Sequence, residues 1–132
     1  MMSTPALILI VDDDKAVRET LAHSLVTAEY QIIKAASGEE AITLAKERHP
    51  DLILLDVIMP GLTGFETARI LQGDEKTKSI PILFLTGEAK DIASIEEGYE
   101  IGADDYLTKG QSTREILLRI NHTIRQHRQS HS

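Results

Sequence analysis

Five short strand-like runs, alternating with stretches of helical periodicity, constrain this chain of 132 residues more than any other feature. Ala6–Val11 contains no polar residue and stops abruptly at Asp12-Asp13-Asp14; Tyr30–Ala35, Leu52–Leu55, Ile80–Leu85 and Asp105–Thr108 follow. Wholly apolar runs of this length suit strands buried on both faces. Between them, apolar residues recur at helical spacing: Val17, Leu21 and Leu25; Ile42, Leu44 and Ala45; Ala68, Ile70 and Leu71; Ile92, Ile95 and Tyr99; Ile116, Leu117, Ile120 and Ile124. Ser37-Gly38-Glu39-Glu40 and Thr63-Gly64-Phe65-Glu66 read as capping boxes, and Ser112-Thr113-Arg114-Glu115 opens the last helix. Gly98 weakens the fourth helix and Gly102 ends it; Pro81 suits only the first position of a strand or an edge.

Strict β–α alternation predicts an α/β fold, a parallel sheet covered by helices on both faces, and right-handed crossovers make it a doubly wound open sheet. The length fits one domain, placed at residues 6–124, with 1–5 an N-terminal tail. Residues 125–132 read as a C-terminal tail or the start of a linker, disordered from Gln126. The absence of cysteine excludes disulfide frameworks, thiolate metal sites and thiol catalysis. Ala6–Val11 is too short for a signal peptide or a membrane span, so a cytoplasmic setting is expected. The net charge of −7 argues against direct nucleic-acid binding. From Lys109 onward five Lys/Arg face one acid, so +4 sits there and −11 on the preceding residues.

Ligands of such sheets bind beyond the carboxyl ends of the strands, where strand order reverses. Asp12, Asp13 and Asp14 follow the first strand, Asp56 the third, Thr86 and Gly87 the fourth, and Lys109 the fifth. Carboxylates about 4 Å apart repel by ~4 kcal/mol per pair at an effective dielectric near 20, unless neutralised or protonated. A hard divalent cation with oxygen ligands relieves that, and Mg2+ ordinarily combines one or two carboxylates with water and a phosphoryl oxygen. Asp12, Asp13 and Asp56 together with such an ion and Lys109 come to zero charge. Thr86 and Lys109 then offer a hydroxyl and a cation to a phosphoryl group. Asp14 reads as a helix cap.

Four segments together carry a resemblance: Val11-Asp12-Asp13, Leu54-Leu55-Asp56-Val57-Ile58-Met59-Pro60-Gly61, Phe84-Leu85-Thr86-Gly87 and Gly102-Ala103-Asp104-Asp105-Tyr106-Leu107-Thr108-Lys109. The chain resembles, from about Leu7 to Ile124, the receiver domain of two-component response regulators, the family of the single-domain chemotaxis regulator. The resemblance implies a flavodoxin-like strand order 2-1-3-4-5 with five helices. It implies that Asp56 accepts a phosphoryl group from a phosphohistidine on a histidine kinase or phosphotransfer protein. It implies Mg2+ held by Asp13 directly, by Asp12 mainly through water, by Asp56 and by the Ile58 carbonyl. Thr86, Gly87 and Lys109 would line the phosphoryl site, and Tyr106 would switch position as Thr86 moves.

By the same likeness the domain is no general enzyme, acting only in its own phosphorylation and dephosphorylation, with Ile58 and Glu88 tuning the latter. Output would pass to an output domain or partner protein through the fourth helix, fifth strand and fifth helix, from a monomer or a phosphorylation-dependent dimer. Gly110 stands where the family usually has a proline after a cis bond, and Gly87 where alanine is usual.

Two other functions compete. Asp12-x-Asp14 mimics the opening of haloacid-dehalogenase-type phosphatases, but that reading gives Asp56 no role, puts Lys109 after Asp104-Asp105 and lacks a cap segment. A pseudo-receiver would bind partners without phosphorylation, though this chain keeps the whole acid and lysine set. No glycine-rich nucleotide loop follows the first strand. His122, His127 and His131 read as solvated residues rather than metal ligands.

Overall fold

Five parallel strands form one sheet in the order β2-β1-β3-β4-β5. The computed structural model describes residues 5–86, 105–108 and 112–130. Along the chain they give β1 (Leu7–Val11), α1 (Lys15–Thr27), β2 (Gln31–Ala35), α2 (Gly38–Arg48), β3 (Leu52–Asp56), α3 (Gly64–Gln72), β4 (Ile82–Thr86), β5 (Asp105–Thr108) and α4 (Thr113–Ser130). The expected doubly wound sheet and its strand order are present. The helix expected around Ile92, Ile95 and Tyr99 lies outside the described residues.

Alternation along each strand sorts the core into two layers. Leu9, Val11, Ile53, Leu55 and Phe84 pack with Ala41 and Ala45 of α2 and Phe65, Ala68 and Leu71 of α3. Ile8, Ile10, Leu52, Leu54, Leu83, Leu85 and Leu107 pack on the other face with Ala22 and Leu25 of α1 and Ile116, Ile120 and Ile124 of α4. Burying each such Leu, Ile or Phe contributes roughly 1.5–3 kcal/mol against leaving it exposed. β1 and β3 sit centrally, and β2 forms an edge with a mostly half-exposed pattern.

Local chemistry sets the helix starts. Asp14 caps α1 by accepting the N–H groups of Ala16 and Val17. Thr63 and Glu66 form a full reciprocal capping box at α3. At α2 the Ser37 hydroxyl accepts the Glu40 N–H, but the Glu40 carboxylate reaches one residue further, to the N–H of Ala36. Ser112 Oγ accepts the Glu115 N–H at the start of α4.

Several expected details shift. β4 begins at Ile82 rather than Ile80, because Pro81 has no N–H to give; its carbonyl accepts the Ile53 N–H instead. In α2 the fully buried positions are Ala41 and Ala45, with Ile42 and Leu44 only partly buried. In α3 Ile70 is exposed, and Phe65, Ala68 and Leu71 point inward. The final helix continues through Ser130, where disorder was expected from Gln126. Its end lies against the base of the sheet, with Arg128 3.9 Å from Asp51.

Candidate functional site

The carboxyl ends of β1 and β3 lie side by side, Val11 pairing with Leu55. The next residues, Asp12 and Asp56, are therefore delivered to one spot, and Asp13 follows on the loop into α1. One ligand oxygen from each of Asp12, Asp13 and Asp56 lies within 4.8 Å of the others. Asp12 and Asp56 are buried and Asp13 is exposed. At such separations an effective dielectric near 20 gives a repulsion of ~3 kcal/mol per pair, less where exposed Asp13 is screened. A buried pair of acids with a third at the mouth suits a hard cation entering from solvent, and the all-oxygen donor set fits Mg2+.

Backbone geometry holds this cluster in place. The Asp12 Oδ1 accepts the Asp14 N–H at 2.9 Å, and Asp14 in turn caps α1. Asp56 Oδ1 accepts the Ile58 N–H at 3.4 Å. Ile58 itself is 77% exposed, an apolar side chain standing in solvent beside the buried Asp56. Gly61, with φ of 76°, makes the turn that leads the chain from β3 towards α3.

Gly64, the first residue of α3, passes directly over the end of β3. Its N–H donates to Val57 O at 2.9 Å. A Cβ there would collide with the Asp56 carbonyl oxygen and stand 2.8 Å from Val57 Cα, and neither backbone atom can rotate aside. Gly64→Ala is expected to cost about 1–3 kcal/mol of stability through overpacking. Urea unfolding measures it; a variant as stable as the parent would mean that α3 does not sit against Asp56.

Of the other expected site residues, Thr86 ends β4 and pairs with Thr108 of β5. Asp56 pairs with Leu85, so the Thr86 backbone lies one residue beyond the acid on the adjoining strand. Tyr106 pairs with Phe84. Lys109 directly follows β5, but it and Gly87 lie outside the described residues. Asp14 serves as the cap that was expected.

One neighbour of the site was not singled out from the sequence. Arg18 Nη1 donates to the Asp12 carbonyl oxygen at 2.7 Å. The available signal was a cation in the fourth position of a helix, the end that the backbone dipole makes unfavourable for positive charge.

Comparison with known proteins agrees with this geometry. The family described as response regulator receiver domain matches residues 8–121. The phosphate regulon transcriptional regulatory protein PhoB of Pseudomonas aeruginosa is 44% identical over 118 residues, 89% of this chain and 51% of that protein. The transcriptional regulatory protein AfsQ1 of Streptomyces coelicolor is 42% identical over 121 residues, 92% of this chain and 52% of that protein. The chain thus spans about half the length of these curated relatives. The crystal structure of the Vibrio cholerae chemotaxis protein CheY4 superposes with a TM-score of 0.85 at 34% identity, covering 90% of this chain and 98% of that one.

Proposed function

The chain belongs to the response regulator receiver domain family of two-component signalling, and from that premise we propose that Asp56 is its phosphoacceptor. The observation that carries the reading is the convergence of Asp12, Asp13 and Asp56 at the ends of two adjacent central strands. An Asp56 carboxylate oxygen attacks the phosphorus of a phosphohistidine on a histidine kinase or phosphotransfer protein. A P–O bond forms as the P–N bond breaks, and the departing imidazole takes up a proton. The protein's contribution to such a transfer is positioning and charge compensation.

Asp12, Asp13, Asp56 and the Ile58 carbonyl would hold Mg2+. Bound there, the ion supplies positive charge to the acids and to the phosphoryl oxygens. Thr86, Gly87 and Lys109 would serve the phosphoryl group, with Lys109 its cationic partner. Thr86 and Tyr106 form the switch, which signals to an output domain or partner protein through β5, α4 and the helix expected around Ile92, Ile95 and Tyr99. Residues 6–124 make up the receiver, 1–5 a tail, and the continuation of α4 past Ile124 suits the start of a linker. The setting is cytoplasmic; among the described residues no helix is long and apolar enough to cross a membrane.

Intact-protein mass after incubation with acetyl phosphate and Mg2+ tests the reading. One added phosphoryl group, stable in acid and lost in base, is expected. No adduct at the earliest quench times would leave a pseudo-receiver that binds partners without phosphorylation.

Exposed Ile58 stands beside the acceptor and would screen the acyl phosphate from water. Ile58→Asn is expected to lose its phosphoryl group faster than the parent, read from the decay of the adduct mass after the donor is removed. An unchanged decay would rule out the shielding role.

A further inference from the structure

Arg18 occupies a position that the helix alone disfavours. It is the fourth residue of α1, at the end where the aligned peptide dipoles make positive charge unwelcome. Its guanidinium reaches back over the helix start and donates to the Asp12 carbonyl oxygen at 2.7 Å, a partly buried, charge-assisted bond.

That carbonyl belongs to the peptide joining Asp12 to Asp13, so the bond fixes the plane from which the Asp13 side chain departs. The same segment is tied twice more. Asp12 Oδ1 accepts the Asp14 N–H at 2.9 Å, and Asp14 Oδ1 accepts the N–H groups of Ala16 and Val17 at 2.9 and 3.3 Å. Hydrogen bonds therefore run from Asp12 through Asp14 into α1 and return from Arg18 to Asp12. Asp13, the exposed member of the acid cluster, sits within that ring.

We propose that Arg18 is a positioning residue for the acid cluster: it holds the Asp12–Asp13 peptide so that Asp13 faces Asp12 and Asp56 before the cation arrives. This rests on the reading of those three acids as the Mg2+ site. Positioning and bare charge predict opposite signs. A cation close to the site repels Mg2+, so if Arg18 acted through charge alone its removal would tighten binding. If it acts by holding the peptide, removal weakens binding, and loss of an outer hydrogen-bond partner typically weakens metal affinity about tenfold or more.

Calorimetric titration of the whole chain with MgCl2 separates the two, with far-UV circular dichroism to verify folding. The parent is expected to bind one ion, Arg18→Ala to bind about tenfold more weakly, and Arg18→Lys, which keeps a donor and the charge, to recover most of the loss. Binding by a folded Arg18→Ala that equals or exceeds the parent's overturns the proposal. So does an Arg18→Lys no better than Arg18→Ala. A parent that takes up no Mg2+ overturns the metal-site reading and this inference with it.

Discussion

Asp56→Asn takes up no phosphoryl group from acetyl phosphate and Mg2+, under conditions that load the parent. The substitution keeps the shape of a side chain that is only 3% exposed, and the amide oxygen can still accept the Ile58 N–H. What is lost is the anionic oxygen that attacks phosphorus. The fold is expected to survive, because one of three mutually repelling charges has been removed. The same variant separates metal binding from phosphorylation. At a Mg2+ concentration 100 times its Kd, binding to the native state stabilises it by about 2.7 kcal/mol. Mg2+ should therefore raise the parent's Tm, and raise that of Asp56→Asn less. An adduct of equal yield on Asp56→Asn would move the acceptor elsewhere.

Phe84→Ala has the largest expected effect on stability, about 3–5 kcal/mol, out of the 5–15 kcal/mol typical of a whole domain. Phe84 is fully buried in β4 and meets the Phe65 ring of α3 edge to face, with centroids 5.0 Å apart and planes at 76°. It lies in the same layer as Ile53 and Leu55 of the adjoining β3, so truncation opens a cavity between the sheet and α3. Such a wall cannot collapse inward without breaking sheet pairing. Urea unfolding should show a midpoint lower by about 2 M at an unchanged slope, taking a slope near 2 kcal/mol per molar. A loss below about 1 kcal/mol would mean that the ring does not fill the layer between the sheet and α3.

The sheet and its rim were legible from the sequence because both follow from short unbroken apolar runs and from where those runs stop. Ile8 to Val11 can be buried on both faces only inside a parallel sheet, and Asp12 marks where burial of apolar chain ends. Helix orientation was less legible. Ile42 and Leu44 outweigh Ala41 and Ala45 in hydrophobicity, yet the alanines lie against the sheet because their small side chains let the helix approach closely. Ile70 misled in the same way, apolar but on the outer face. The last turns of α4 carry Arg, Gln and His without an apolar stripe, which resembles a fraying tail. These are adequate helix formers, and the helix extends from a core held by Ile116, Ile120 and Ile124. Arg18 was harder to read for another reason: a cation near a helix start is a faint signal, and its bond to a main-chain carbonyl six residues back leaves no partner residue type to look for.

The central claim is that Asp56, among three clustered acids, carries the phosphoryl group. Borohydride reduces an aspartyl phosphate to homoserine, so reduction of the loaded chain followed by peptide mapping reads the acceptor directly. Homoserine at position 56 alone, in a yield that follows the adduct mass, is the predicted result. Homoserine at position 12 or 13, or a phosphoryl adduct that leaves Asp56 unreduced, would contradict it.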